Sequence, residues 1–131
     1  MMSSDDRKYI AIIGASTDRR KFGNKAVRAY ARSGWRVYPI HPEEEEIEGF
    51  AAFRTVRHMP GPVDCVSMYL PPELGIKVLD DIRKLRPKEV WLNPGAESEE
   101  LVAKAKKLRL NVIQACSILE VGMSPSDLSD E

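Results

Sequence analysis

An excess of charge of either sign is missing from this sequence, because 20 Lys and Arg residues balance 20 Asp and Glu residues in a chain of 131. This balance excludes the broad basic surface that holds proteins on nucleic acid or on anionic membranes. We therefore expect neither a nucleic-acid partner nor a membrane partner, and any site for an anion must be local.

Long hydrophobic runs and cysteine-rich patterns are missing as well. The longest apolar runs are only a few residues, far short of a membrane span, and the opening "MMSSDDRKY" lacks the apolar stretch of a signal peptide. Cys65 and Cys116 stand far apart, without the regular spacing of a disulfide framework. These absences predict a cytoplasmic protein in a reducing compartment.

The sequence does contain short apolar runs that alternate with helix-like stripes, within the length of one domain. The predicted strands are residues 9–13, 35–40, 63–70, 89–92 and 111–115. The predicted helices run from Phe22 to Ser33, from Pro72 to a stop before Pro87, and from a cap at Ser98 to Leu108. Residues 43–62 indicate a long connection with one short strand or helical turn near 53–58.

This order of elements predicts an α/β fold. Because parallel neighbours need crossover connections, we expect a doubly wound, mainly parallel five-stranded sheet with helices on both faces. We place the domain at residues 8–122. Flexible termini are expected at residues 1–7 and 123–131, the second of which is rich in Ser, Asp and Glu.

In such sheets, ligands bind beyond the carboxyl ends of the strands, where the strand order reverses. Functional residues should therefore cluster on residues 14–23, 41–43, 69–72 and 93–96, with Cys116 at the rim of the last strand.

The first of these loops, "GASTDRRKFG", has the features of a phosphate site. It combines small residues, the hydroxyls of Ser16 and Thr17, and a following helix whose first N–H groups attract anions. The cations Arg19, Arg20 and Lys21 stand beside that helix start. We expect the loop to hold a phosphate or pyrophosphate, and a simple tight turn with solvated cations is the alternative.

A nicotinamide dinucleotide is the usual occupant of such a turn, and two features argue against it here. The fingerprint G-x-G-x-x-G is absent, because Gly14 is followed by "AST". The acid that would hold the ribose is absent too, because the second strand ends in Pro39, His41 and Pro42, and Glu43 is the first acid after it.

Four stretches, "IAIIGAS", "GWRVYPIHP", "PGPVDCVSMYLPPE" and "VWLNPGAESEELVAKAKKLRLNVI", occur in an order and spacing that resemble the CoA-binding domain family. The family comprises Rossmann-like single-domain proteins and the related module of NDP-forming acyl-CoA synthetases and of the succinyl-CoA synthetase alpha subunit. The resemblance covers residues 8–122 and implies a Rossmann-like fold that binds coenzyme A or an acyl-CoA. One departure is His41, which stands where family members usually carry Asn.

The resemblance also implies a role for each loop. The phosphates of CoA would lie at the turn and helix start formed by Gly14, Ala15, Ser16, Lys21, Phe22 and Gly23. His41 and Pro42 would lie beside the adenosine. The remaining contacts would be Tyr69, Leu70 and Pro71 along the nucleotide, and Asn93, Pro94 and Gly95 nearer the pantetheine arm.

CoA also fits the charge pattern of the loops, because its 3′-phosphate would be repelled by an acid and attracted by cations. We therefore expect Arg19, Arg20 and Lys21 to favour CoA over dephospho-CoA. Cys116 could form a mixed disulfide with the CoA thiol, although a buried, inert side chain is the commoner fate of a free cysteine.

The sequence predicts no catalytic residue and no metal site. His41 and His58 lack the neighbouring ligands of a zinc site. The synthetases that share the module need a phosphorylated histidine and a second domain, so we do not expect ligase activity from this chain alone. The prediction is a non-catalytic binding, carrier or sensor module with an acyl-CoA enzyme as a partner. Two alternatives stay open, an NAD(P)-binding oxidoreductase or redox sensor and a ligand-free protein-interaction subunit.

Overall fold

Five parallel strands form the central sheet. A computed structural model of the chain describes residues 8–131, and the predicted flexible terminus at residues 1–7 lies outside the described residues. The strands, in chain order, are β1 (Tyr9–Ile13), β2 (Arg36–Ile40), β3 (Glu46–Ile47), β4 (Phe50–Ala51), β5 (Cys65–Met68), β6 (Glu89–Leu92) and β7 (Val112–Gln114). β3 and β4 pair with each other, and the other five form the sheet in the order β2-β1-β5-β6-β7. The predicted five-stranded parallel sheet is confirmed.

Four helices cover the two faces of the sheet: α1 (Phe22–Arg32), α2 (Pro72–Leu85), α3 (Glu99–Lys107) and α4 (Ser117–Glu120). Side chains alternate between the faces along each strand. Ala11 and Ile13 therefore pack in the core beneath α2 and α3, whereas Ile10 and Ile12 pack in the core beneath α1 and α4. Helices on both faces make this a Rossmann-like, doubly wound fold. No helix among residues 8–131 is long and apolar enough to cross a membrane.

The signals that begin the helices act as the sequence predicts. α2 begins at Pro72, where proline is tolerated because the first N–H groups of a helix have no partner inside it. α3 is capped by Ser98, whose Oγ accepts a hydrogen bond from the Leu101 N–H at 3.1 Å. Both helix starts lie at the carboxyl edge of the sheet, the edge at which a ligand is expected.

The β3–β4 hairpin was not expected from the sequence. Its two turn residues, Glu48 and Gly49, have φ values of 52° and 83°, and two-residue hairpin turns of type I′ require positive φ at both positions. The strands are only two residues long, and the acidic run before them gives no period-two pattern. The short element expected near 53–58 is a single 3-10 turn at Val56–His58.

The C-terminal segment, residues 123–131, lies against α1, although the sequence predicts a loose tail. Leu128 is 2% exposed and belongs to the core beneath α1 and α4. Arg28 Nη2 donates to the Ser129 carbonyl at 2.7 Å, and Lys25 Nζ lies 2.7 Å from Asp130 Oδ1. The polar composition of the segment does not predict these contacts, because they depend on one buried leucine and on two basic residues of the distant helix α1.

The strand order reverses at β1, since β2 lies on one side of it and β5 on the other. The chain leaves β1 toward α1 on one face and leaves β5 toward α2 on the other face. The two connections therefore diverge and leave a crevice between the carboxyl ends of β1 and β5.

Candidate functional site

The turn after β1 packs against the turn after β5 at this crevice. Gly14 has a φ of 89°, and a Cβ at this position would lie 3.1 Å from the Tyr69 carbonyl carbon and 3.2 Å from the Leu70 nitrogen. At Gly23, in the first turn of α1, a Cβ would overlap the carbonyl oxygen of Gly14. Both positions require glycine, because a side chain would separate the turn, the helix start and the second loop.

The N-terminus of α1 is left without a side-chain cap. Lys21 occupies the N-cap position in an extended conformation and makes no capping hydrogen bond, and residues 22–25 include no acid. The first N–H groups of a helix have no partner within it and carry a partial positive charge. An anion beside Phe22 and Gly23 would be stabilised by these groups, with the Lys21 ammonium close to it.

The other two cations of this loop form ion pairs. Arg20 donates from Nε and Nη2 to the two carboxylate oxygens of Asp18, each at 3.0 Å. These hydrogen bonds lower the pKa of Asp18 to about 2. Arg19 Nη1 lies 3.4 Å from Oε1 of Glu48, in the turn of the β3–β4 hairpin. Lys21 is therefore the cation of the loop that remains for a ligand.

A groove of about 390 Å³ lies in front of the α1 N-terminus, and we call it the polar groove. It is lined by the turn after β1, the start of α1 and the loops after β2, β5 and β6. The lining residues are Gly14, Ala15, Ser16, Lys21, Phe22, Gly23, His41, Pro42, Tyr69, Leu70 and Pro94. Each of them is among the residues that the sequence predicts to contact a ligand.

A second cavity, of about 330 Å³, adjoins the polar groove and shares Gly14, Pro42 and Leu70 with it. We call it the apolar groove. Its other lining residues are Ile13, Ile40, Arg54, Thr55, Val56, Leu74, Lys77, Val78 and Asp81. Aliphatic side chains and proline make up most of the wall, which suits a flat, largely apolar group such as a nucleobase.

Sequence reasoning missed the apolar groove. The sequence places Leu74 in the apolar stripe of α2 and so predicts a buried side chain, whereas Leu74 is 47% exposed and lines this groove. Lys77 and Val78 follow it by three and four residues, so they share its face of the helix. Arg54 and Thr55 gave no signal, because they lie in a connection without periodicity.

His41 ends β2 and fixes the backbone that follows it. Its Nδ1 accepts hydrogen bonds from the backbone N–H groups of Glu43 and Glu44, each at 3.0 Å. An Asn side chain makes the same contacts through its carbonyl oxygen in Asx turns. The histidine therefore supplies the acceptor that an Asn would supply, which is the residue that the resemblance implies at this position.

A buried cluster, which we call the polar node, joins the ends of β5, β6 and β7 and consists of Ser67, Asn93 and Ser117. Ser67 Oγ lies 2.6 Å from Ser117 Oγ and accepts from Asn93 Nδ2 at 2.8 Å. Asn93 Oδ1 accepts from the Ser117 backbone N–H at 2.8 Å. Tyr69 contacts the node through its hydroxyl, 3.2 Å from Ser117 Oγ, and burial raises the pKa of this phenol to about 12. Asn93 thus holds its loop in place from beneath the cleft.

Some predicted site residues line neither groove: Thr17, Arg19, Arg20, Pro39, Pro71, Asn93, Gly95 and Cys116. Pro39 is buried within β2 opposite Ile12, and Cys116 packs against the core beneath α1 and α4. Thr17, Pro71 and Gly95 are exposed. Over the described range 8–131, no group of three His, Cys, Asp or Glu side chains could hold a metal ion.

The geometry agrees with a comparison against protein families, in which the family described as "CoA binding domain" matches residues 8–122. The chain belongs to the CoA-binding domain family. The matched range contains every residue that lines the two grooves. Family membership and the crevice at the carboxyl edge therefore concern the same part of the molecule.

The relatives include both ligases and a small protein. Over 63 residues the chain is 38% identical to the acetate–CoA ligase (ADP-forming) II subunit alpha of Pyrococcus furiosus, covering 47% of this chain and 14% of that subunit. The Ca. Korarchaeum cryptofilum dinucleotide forming acetyl-coenzyme A synthetase 1, solved with phosphate and ADP, has 30% identity and a TM-score of 0.72, over 82% of this chain and 25% of that one. A conserved hypothetical protein from Pyrococcus furiosus has 32% identity and a TM-score of 0.78, over 87% and 98% of the two chains. The chain thus matches a small part of the ligases and almost all of the hypothetical protein.

Proposed function

We propose that the chain binds coenzyme A or an acyl-CoA in the cleft formed by the polar and apolar grooves, as a non-catalytic binding, carrier or sensor module of the cytoplasm. The observation that supports the proposal is the uncapped N-terminus of α1, which opens into the polar groove of a CoA-binding domain. Family membership indicates the class of ligand, and the helix N-terminus provides the chemistry for its phosphates.

The pyrophosphate of CoA would lie in the polar groove, beside the N–H groups of Phe22 and Gly23. Lys21 would supply the opposing charge. Ser16 adds a hydroxyl donor, because its Oγ already accepts from the Asp18 N–H at 3.0 Å and its hydrogen remains for the ligand. A phosphate held by backbone N–H groups, one hydroxyl and one ammonium receives donors from several directions.

The adenosine would occupy the apolar groove, close to His41 and Pro42. Leu70 and Leu74 would then cover the base. The pantetheine arm would leave the polar groove along Pro94 and Phe22, and Phe22 is 52% exposed and lines this groove. This orientation uses each groove for the part of CoA that matches its polarity.

The histidines support a binding role. His41 uses its Nδ1 to hold the turn after β2, and His58 is exposed and lines neither groove. The ligases that resemble this chain are much longer than it. We propose that any chemistry on the acyl group belongs to a partner acyl-CoA enzyme and that this chain holds the nucleotide.

Calorimetric titration with CoA, dephospho-CoA, acetyl-CoA, NAD and NADP tests the proposal at one fixed, moderate salt concentration. We expect the CoA species to bind and NAD not to bind. Lys21→Ala should weaken CoA binding about tenfold, since a hydrogen bond to a charged group is worth roughly 1.5–3 kcal/mol. Arg32→Ala, at the other end of the same helix, removes the same charge and should change the affinity for CoA by less than about twofold.

The other outcomes favour the alternatives. Preferred binding of NAD or NADP would support an oxidoreductase or redox sensor. If none of the five compounds bound, a ligand-free protein-interaction subunit would become the better description.

A further inference from the structure

Basic side chains near the carboxyl edge of the sheet fall into two groups. Those that form ion pairs with carboxylates are Arg19, Arg20 and Arg57. Those that form no ion pair within residues 8–131 are Lys21, Arg54 and Lys77. The second group is the one whose charge remains for an anionic ligand.

The unpaired cations lie in two different compartments of the cleft. Lys21 lines the polar groove, whereas Arg54 and Lys77 line the apolar groove. The two grooves adjoin, because Gly14, Pro42 and Leu70 line both of them. A ligand that fills the whole cleft therefore meets positive charge in both compartments.

Arg54 and Lys77 come from separate elements, the connection before β5 and helix α2, yet they share one cavity. Both side chains are exposed, so water screens their mutual repulsion, and an anion held between them would be attracted by both. Asp81 also lines this cavity, and the ion pair of its Oδ2 with Arg57 Nε, at 3.7 Å, offsets part of its negative charge. Thr55 Oγ1 accepts from the Arg57 N–H at 3.1 Å, which leaves the hydroxyl hydrogen free to donate to a ligand.

Three kinds of surface therefore follow one another along the cleft. They are an anion site at the α1 N-terminus, an aliphatic wall, and a pair of cations with a hydroxyl. An adenosine that carries a pyrophosphate on one side of its ribose and a further phosphate on the other side matches this order. The pyrophosphate would bind at the anion site, the adenosine would pack on the aliphatic wall, and the further phosphate would lie between the cations. Dephospho-CoA and NAD lack the further phosphate on the ribose.

We infer that Arg54 and Lys77, together with Thr55, form a second phosphate subsite, which binds the 3′-phosphate of CoA. The inference rests on the proposed binding of CoA and adds the residues that select CoA from its dephosphorylated form. The sequence predicts this selection from Arg19, Arg20 and Lys21 together. The inference assigns it to Arg54 and Lys77 instead, because Arg19 and Arg20 are paired with carboxylates.

The test compares CoA with dephospho-CoA on the whole chain, by calorimetric titration of three proteins at one salt concentration. The first is the unchanged protein. The second is Arg54→Gln/Lys77→Gln, which removes both charges and keeps most of the side-chain stems that cover the groove. The third, Arg32→Gln/Lys84→Gln, is a control that removes one exposed Arg and one exposed Lys lining neither groove.

We expect the unchanged protein and the control to bind CoA at least about tenfold more tightly than dephospho-CoA. In Arg54→Gln/Lys77→Gln, CoA affinity should fall to that of dephospho-CoA, and dephospho-CoA affinity should change by less than about twofold.

Two results would overturn the subsite and leave the proposed function standing. One is equal binding of CoA and dephospho-CoA to the unchanged protein, and the other is an undiminished preference for CoA in the Gln variant. If the unchanged protein bound neither compound, the proposed function would fail together with the subsite.

Discussion

At the scale of single residues, the cleft depends on side chains that shape the backbone as much as on those that would touch a ligand. Gly14 and Gly23 let a turn and a helix start meet, and His41 holds the chain after β2 through two accepted hydrogen bonds. The sequence shows these residue types plainly, so eleven residues of the polar groove could be proposed from it. It does not show that Arg19 pairs with Glu48 of a distant hairpin or that Arg20 pairs with Asp18 of the same turn.

The role of His41 can be tested by substitution. Asn at this position keeps an acceptor for the N–H groups of Glu43 and Glu44, whereas Phe keeps a ring and offers no acceptor. We expect His41→Asn to retain the free energy of unfolding of the unchanged protein and to keep its affinity for CoA within about twofold. His41→Phe should lower the free energy of unfolding by about 1–2 kcal/mol, because two hydrogen bonds are lost.

Urea unfolding and calorimetric titration of both variants provide the measurements. An Asn variant that loses as much stability as the Phe variant would show that the turn does not depend on the acceptor.

At the scale of elements, the apolar periodicity of the sequence predicted the helices and strands that are long and regular. β1, α2, β6 and the cap of α3 lie where the apolar spacing and the Pro72 and Ser98 signals placed them. The β3–β4 hairpin, α4 and the packing of the C-terminal segment against α1 were not predicted. Each of these segments is too short to show a periodic pattern and is held by contacts with distant residues, so its structure cannot be predicted from its local sequence.

The C-terminal segment provides the prediction at this scale. Leu128 is buried in the core beneath α1 and α4, so Leu128→Ala should lower the free energy of unfolding by about 2–4 kcal/mol. Leu119, on α4, is 59% exposed and serves as the matched control, and Leu119→Ala should cost less than about 0.5 kcal/mol. Urea unfolding at equilibrium measures both, and equal effects would contradict the packing of this segment.

At the scale of the whole molecule, the parallel sheet and a crevice at its carboxyl edge could be expected from the order of strands and helices along the chain, whereas the strand order itself comes from the structure. The apolar groove could not be expected, because it forms only where α2, the ends of β1 and β2 and an irregular connection come together. A sequence pattern describes one element at a time, whereas residues from several separate elements line this cavity. For the same reason, only the folded molecule shows that Arg54 and Lys77, which we propose as a phosphate subsite, line one cavity.

Binding in a cleft shared by several elements should stabilise the entire domain. A ligand at a hundred times its dissociation constant adds about 2.7 kcal/mol to the free energy of unfolding, provided that it binds only the folded chain. For a domain of this size, we expect CoA at that concentration to raise the melting temperature by roughly 10 °C.

Thermal unfolding over a series of CoA concentrations measures this effect, with NAD at the same concentrations as the control. A melting temperature that does not move with CoA, or that moves equally with NAD, would contradict specific binding.

The polar node has a consequence for how the cleft responds to acidity. Ser67, Asn93 and Ser117 carry no group that gains or loses a proton under ordinary conditions, and the pKa of the neighbouring Tyr69 is raised to about 12. The polar node beneath the cleft therefore keeps a single charge state while the surrounding medium becomes more acidic or more alkaline. We expect the acidity profile of CoA binding to take its shape from the phosphates of CoA and from the groups at the rim of the cleft.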